Sequence, residues 1–306
     1  MKKILRYLRE QIREDLHVPY YTTVALFLAI SLIINYTVDF NDRYIDGING
    51  FGRILANVLF FAVAYFILLV LFSFFKKQGA IFSNREFLLK SMFGLVLLGL
   101  DSGFPYLQQW LNSLDSHIQF WAYKVCINSI SLLTIVLPLY LFYVWIEKHK
   151  CAFYGLGKTR FDWSPYVTML LIMVPLIASA SLTEGFQRQY PMYKSTSAHT
   201  HLGVAEYVTV LIYEAAYGFD FITVELLFRG FFVVGMIHVL GRAAILPMVS
   251  MYCFLHFGKP AGEAISSIFG GYILGVIAYE TRSIWGGIAI HVGIAWLMEV
   301  SAWLMM

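Results

Sequence analysis

The chain has 306 residues, of which 59% are hydrophobic, 17% aromatic and 13% charged, whereas soluble domains carry about 25% charged residues. Its mean hydropathy of +0.68 excludes an ordinary soluble globule, and a net charge of +3 with a pI near 8.6 leaves no basic surface large enough for a nucleic acid. Three scattered cysteines, Cys126, Cys151 and Cys253, write neither a disulfide framework nor a cysteine-based zinc site.

In residues 1–18, Lys2, Lys3, Arg6, Arg9 and Arg13 accompany an apolar stripe of Leu5, Leu8, Ile12 and Leu16. That pattern predicts a helix lying on an anionic membrane surface. No short apolar core follows the basic start, so it does not read as a cleavable signal peptide. Apolar runs follow at 21–36, 54–75, 91–111, 125–146 and 166–182, with several closely spaced segments after Tyr207. The run 54–75, with Asn57 its only strongly polar member, is long enough to cross a hydrocarbon core of about 30 Å as a helix. These runs are apolar on every face and lack the alternation of barrel strands. The expected fold is an all-α polytopic membrane bundle of about eight transmembrane helices. Lys and Arg number 13 in the alternate loops 1–17, 76–90 and 147–165, against 5 in 37–53, 112–124 and 183–206. The positive-inside rule then places the N-terminus in the cytoplasm. The expected location is a multi-pass position in the lipid bilayer, the inner membrane if the source is bacterial.

Composition changes character near residue 200. Before it the spans hold few ionisable groups; Asp101 is the clearest, and Ser102, Gly103, Phe104 and Pro105 after it mark a helix end. After it come Glu206, Glu214, Asp220, Glu225, Arg229, His238, His256, Glu263, Glu280, Arg282, His291 and Glu299. Each such group costs about 2.5 to 3.5 kcal/mol at a helix centre, so a cluster this dense must face a protein interior or a wet cavity. Without an internal repeat, the chain divides into an interfacial helix (1–18), scaffold spans (19–204) and a core that carries the chemistry (205–306).

Three constellations lie in that core. Glu225 and Arg229, spaced by four, share a helix face where carboxylate and guanidinium pair, either to serve chemistry or as a structural ion pair. His256 ends an apolar run just before Gly258 and Pro260; it suits acid–base work or metal ligation, or a plain interhelical hydrogen bond. Glu263 lies two turns further on. His291 has no local partner at a spacing of four, so its partner must come from another helix; Glu299 follows two turns later on a similar face. Gly270, Gly271, Gly275, Gly286, Gly287 and Gly293 permit the close helix approach that would let Glu225, His256 and His291 converge. Convergence admits two mechanisms. In one, a carboxylate activates water, one imidazole assists and another stabilises the oxyanion, with no cofactor required. In the other, Glu225, His256 and His291 hold a zinc ion. No His-Glu-x-x-His pair occurs, which favours the metal-free version. His238 and Glu214 read as satisfied interhelical polar groups, secondary as site candidates.

The order and spacing of these residues resemble the CAAX protease and bacteriocin-processing (CPBP, or Abi) family of intramembrane endopeptidases. That family shows Glu-Glu-x-x-x-Arg, usually as Glu-Glu-x-x-Phe-Arg-Gly, then Phe-x-x-x-His, then His-x-x-x-Asn or Asp. Here the motifs stand as Val224-Glu225-Leu-Leu-Phe228-Arg229-Gly230, Tyr252-Cys-Phe-Leu-His256 and His291-Val-Gly-Ile-Ala295, across about residues 205–300. The resemblance implies an intramembrane endopeptidase acting on a peptide or membrane-protein substrate through Glu225, His256 and His291, with Arg229 as orienting partner. Two positions depart from it. The family's water-activating glutamate is Val224, and the asparagine thought to complete the oxyanion hole is Ala295. Losing one such donor typically costs about 2.7 to 4 kcal/mol of transition-state stabilisation. Glu263, Glu299 and Glu214 are the carboxylates available to replace the missing base. The alternative reading is a catalytically impaired member acting as a membrane scaffold or immunity-type protein. A proton or ion transporter using the Glu/His series fits the burial argument but lacks an inverted repeat.

Overall fold

The computed structural model describes residues 1–147, 152–157, 162–193 and 196–305, and all regular structure among them is helical. Cys151 and the loop residues Lys148, Lys150, Lys158, Arg160 and Lys194 lie outside the described residues. The main helices are α1 (Lys2–Asp15), α2 (Val18–Val38), α3 (Phe51–Lys76), α4 (Arg85–Ser102), α5 (Ser116–Trp145), α6 (Ser164–Ala180), α7 (Glu206–Glu225), α8 (Ile245–Leu255), α9 (Ala261–Thr281) and α10 (Trp285–Trp303).

Among the described residues, six stretches are long and apolar enough to cross a membrane: α2, α3, α5, the run Glu206–Leu255, α9 and α10. The chain is therefore a helical polytopic membrane protein. Two further apolar helices fall outside that set for physical reasons. α6 is 17 residues long, and α4 carries Arg85, Glu86, Lys90 and Asp101 within its 18 residues.

Apolarity alone does not locate a helix in this bundle. α2 buries only Tyr20, Val24, Leu28 and Asn35 and leaves Leu26, Ile30, Ile33 and Ile34 exposed. α8 is buried at every position from Ile245 to Phe254, packed between α3 and α9. The main core forms here, where Phe60, Phe61 and Tyr65 of α3 meet Phe228, Phe231 and Phe232 and the apolar faces of α8. α7 packs on α5 and α10, and α10 on α6. The predicted stripe of α1 stays mostly outside the bundle, with only Leu8 partly buried against it. Ile4, Tyr7, Gln11 and Asp15 are buried on the side that docks against α9, while Leu5, Ile12 and Leu16 stay exposed.

Candidate functional site

α7 ends at Glu225, and the next residues, Leu226–Phe231, widen into a π turn in which the Phe232 amide donates to the Leu227 carbonyl at 3.0 Å. Such turns recur at functional positions because they re-aim side chains within an otherwise regular helix. Gly230 is required at its centre: a Cβ there would stand 2.7 Å from the Tyr154 carbonyl oxygen. The turn carries Arg229 back over Glu225, with Nη1 3.0 Å from Oε1 and both side chains fully buried. The face shared by these residues in the sequence is shared in the structure.

The partner that His291 was expected to find on another helix is Glu225. Nδ1 of His291, on α10, lies 3.1 Å from the same Oε1 that faces Arg229. Close approach is possible because Gly287, one turn earlier on α10, has no side chain; a Cβ there would meet Glu225 Oε2 at 2.0 Å. A carboxylate only accepts, so a hydrogen sits on Nδ1, and in the neutral imidazole Nε2 carries a lone pair. That lone pair accepts from the Tyr252 hydroxyl of α8 at 3.0 Å. Both nitrogens of His291 are thus engaged by the protein.

His256 caps the C-terminus of α8 and is half-buried. Its Nδ1 lies 2.8 Å from the Tyr252 carbonyl, which only accepts, so Nδ1 is protonated and Nε2 again carries the lone pair. Nε2 makes no protein hydrogen bond among the described residues. The turn after α8 is tied down from α2, where Asn35 donates to the Phe257 carbonyl at 2.9 Å and Tyr36 to the Lys259 carbonyl at 2.7 Å. Tyr252 stands between the two histidines. Its ring centroid is 4.6 Å from that of His256 and 5.9 Å from that of His291, and the Arg229 guanidinium lies 4.1 Å over its face. Phe221 closes the other side of His291 at 4.5 Å between ring centroids.

The structure thus brings Glu225, Arg229, His256 and His291 together, with Gly287, one of the glycines expected to permit close approach, against Glu225, and adds Tyr252, which the sequence reading quoted only as a motif position. Tyr252 had a signal: it lies four residues before His256 and so on the same helix face. The remaining candidates lie apart from that group, and Glu263 and Glu299 have other partners. Glu263 accepts from the Tyr190 hydroxyl at 3.2 Å and pairs with Lys259 at 3.0 Å. Glu299 accepts the Met192 and Tyr193 amides at 2.7 and 3.3 Å, fastening that segment to α10. The Glu214 carbonyl accepts from Trp296 at 3.2 Å, while its two carboxylate oxygens are buried without a hydrogen bond. His238 is exposed, and Asp101 accepts from the Thr134 hydroxyl. Val224 is partly buried against the main core, and Ala295 is buried among Tyr193, Tyr213 and Tyr217. Among the described residues, no group of three or more His, Cys, Asp or Glu side chains is placed to hold a metal ion.

Residues 206–297 match the family model of the type II CAAX prenyl endopeptidase Rce1-like proteins. Over that stretch the chain is similar to the Rce1-like CAAX proteases. No curated protein and no solved structure matches the chain. Glu225, Arg229, Tyr252, His256 and His291 all fall inside the Rce1-like stretch; Glu299 falls just beyond it.

Proposed function

We propose that this protein is an intramembrane endopeptidase that hydrolyses a peptide bond near or within the membrane. The observation that carries the reading is the bare Nε2 of half-buried His256, joined through Tyr252 to the pair that buried Glu225 makes with part-buried His291 on another helix. In this reading His256 Nε2 takes a proton from water as the water adds to the scissile carbonyl, and returns it to the leaving amine. Positioned acid–base catalysis of this kind contributes about 10² to 10⁴ in rate. Glu225 has no exposed surface, so it acts through His291, whose orientation and tautomer it sets, while Arg229 neutralises its charge. The reaction as drawn uses no metal or cofactor. Its substrate is a peptide or a membrane protein, as the protease family implies. We further propose that α4 and α6 cross the bilayer with the longer helices, giving about eight spans with a cytoplasmic N-terminus.

The replacement of the family's base by Val224 and of its asparagine by Ala295 favours a second reading, a catalytically impaired membrane scaffold. Cleavage of a quenched-fluorescence peptide library by the protein in lipid separates the two. Turnover lost in His256→Ala and Glu225→Gln but retained with chelator supports the metal-free peptidase, and chelator sensitivity transfers the mechanism to zinc. Folded wild type that cleaves nothing supports the scaffold.

A further inference from the structure

An amide-hydrolysing site needs a hydrogen-bond donor where the tetrahedral oxyanion forms. By resemblance, that duty falls to His291 and to residue 295, and neither supplies a hydrogen here. Residue 295 is a buried alanine among tyrosine rings. His291 commits its Nδ1 hydrogen to Glu225 and presents a lone pair at Nε2. The Arg229 side chain has no exposed surface, whereas Tyr252 keeps 5% of its own. The side chain that touches both histidines is Tyr252: its hydroxyl is 3.0 Å from His291 Nε2, and its ring lies edge-on to His256 at 4.6 Å.

We propose that Tyr252 is a catalytic residue whose phenol donates the hydrogen bond that stabilises the oxyanion. The proposal rests on the endopeptidase reading. In the attack step a bond forms between the water oxygen and the carbonyl carbon, the carbonyl π pair moves onto oxygen, and the water proton goes to His256 Nε2. The Tyr252 hydroxyl turns about its C–O bond from His291 Nε2 to the new oxyanion and keeps its proton. On collapse the carbon–nitrogen bond breaks, His256 gives its proton to the departing amine, and the Tyr252 hydroxyl turns back. The hydrogen bond to a charged oxygen is stronger than the one to a neutral imidazole, so the exchange favours the transition state over the ground state. The Glu225–His291 pair is then a positioning device that holds the phenol hydrogen ready between turnovers.

Tyr252→Phe tests this in the full-length protein in lipid. The substitution keeps the ring beside His256, the face under Arg229 and the carbonyl that anchors His256. The expected result is a fall in kcat of about 100- to 1000-fold with KM little changed. A phosphonate analogue of the best-cleaved library peptide, a mimic of the tetrahedral state, loses affinity by a similar factor while the parent peptide does not. Nitrogen-15 spectra of histidine-labelled wild type show His291 protonated at Nδ1 and bare at Nε2. Wild-type kcat and phosphonate affinity in Tyr252→Phe overturn the proposal and leave the peptidase reading standing. A hydrogen on His291 Nε2 also overturns it, because His291 is then the donor. Wild type that neither cleaves a peptide nor prefers the phosphonate of a library peptide over its parent removes the peptidase reading, and this proposal with it.

Discussion

The serine and threonine hydroxyls of α2 and α6 are satisfied differently from the ionisable groups of α7 and α10. In the first pair the hydroxyls of Thr23, Ser31, Thr168 and Ser179 return to their own helix, at the Pro19, Phe27, Ser164 and Pro175 carbonyls and all at 2.8 to 2.9 Å, while the larger Asn35 and Tyr36 of α2 reach the turn after α8. In the second set the bonds of the ionisable groups run between helices, from His291 to Glu225 and from Tyr252 to His291. A hydroxyl is small enough to be satisfied by the previous turn, so it asks nothing of its neighbours. A carboxylate, guanidinium or imidazole is not, and helices bearing them must be assembled in one register. The second set also retains unused capacity, at Glu225 Oε2 and at Arg229 Nε and Nη2, none of which makes a hydrogen bond. Buried polar networks left incomplete are expensive, and reaction centres are where such expense has a use.

If that contrast is sound, its largest consequence is in Glu225→Leu. Removing the carboxylate leaves Arg229 charged and fully buried, and breaking a buried pair in this way costs about 3 to 5 kcal/mol. Unfolding followed in detergent should show a loss of that size. Glu225→Leu combined with Arg229→Met should recover most of it, since no orphaned charge remains. A single variant as stable as wild type would mean that the pair is not the organising contact of the second set.

Gly287→Ala comes next. A methyl group 2.0 Å from Glu225 Oε2 cannot be accommodated unless α10 or the carboxylate moves. Overpacking of this kind costs about 1 to 3 kcal/mol. It should also separate His291 from Glu225, so turnover should fall further than stability. Parallel melting and cleavage assays distinguish this from uniform destabilisation, in which both fall together.

Much of this was legible in the chain. Helical spans follow from composition, and the spacing of Glu225 and Arg229 from helix periodicity; the lack of a local partner for His291 correctly predicted one from another helix. The central place of α8 was not legible. In lipid the outside of a bundle is as apolar as its inside, so α2 and α8 read alike although one is peripheral and the other buried throughout. Tyr252 was overlooked for a related reason: in an apolar run a tyrosine reads as packing, and only tertiary structure shows its hydroxyl on a histidine. In the sequence Glu299 stands as a replacement for the missing base because its partners, the Met192 and Tyr193 amides, sit in an irregular segment that no periodicity predicts; Glu263 has one such partner, Tyr190, and one at helical spacing, Lys259.

Glu299→Gln examines that last point. It keeps one acceptor for the Met192 and Tyr193 amides and removes the charge, for a loss of about 1 kcal/mol. Turnover should persist, because Glu299 fastens a segment and is not bonded to either histidine of the site. Abolished cleavage in a well-folded Glu299→Gln would instead make it the compensating carboxylate.

The smallest effect belongs to Ser31→Ala on α2. The Ser31 hydroxyl donates to the Phe27 carbonyl at 2.8 Å, a carbonyl that already serves the helix. Its loss leaves no buried group unsatisfied, and alanine is the better helix former. Stability should therefore stay within about 0.5 kcal/mol of wild type, as for substitutions away from packed or charged features. A loss of several times that size would show Ser31 holding α2 to a neighbour and would erase the distinction between the two sets of helices. A neutral result, beside a severe one for Glu225→Leu, would show that polarity inside this membrane protein is costly only where it has been made to cross from one helix to another.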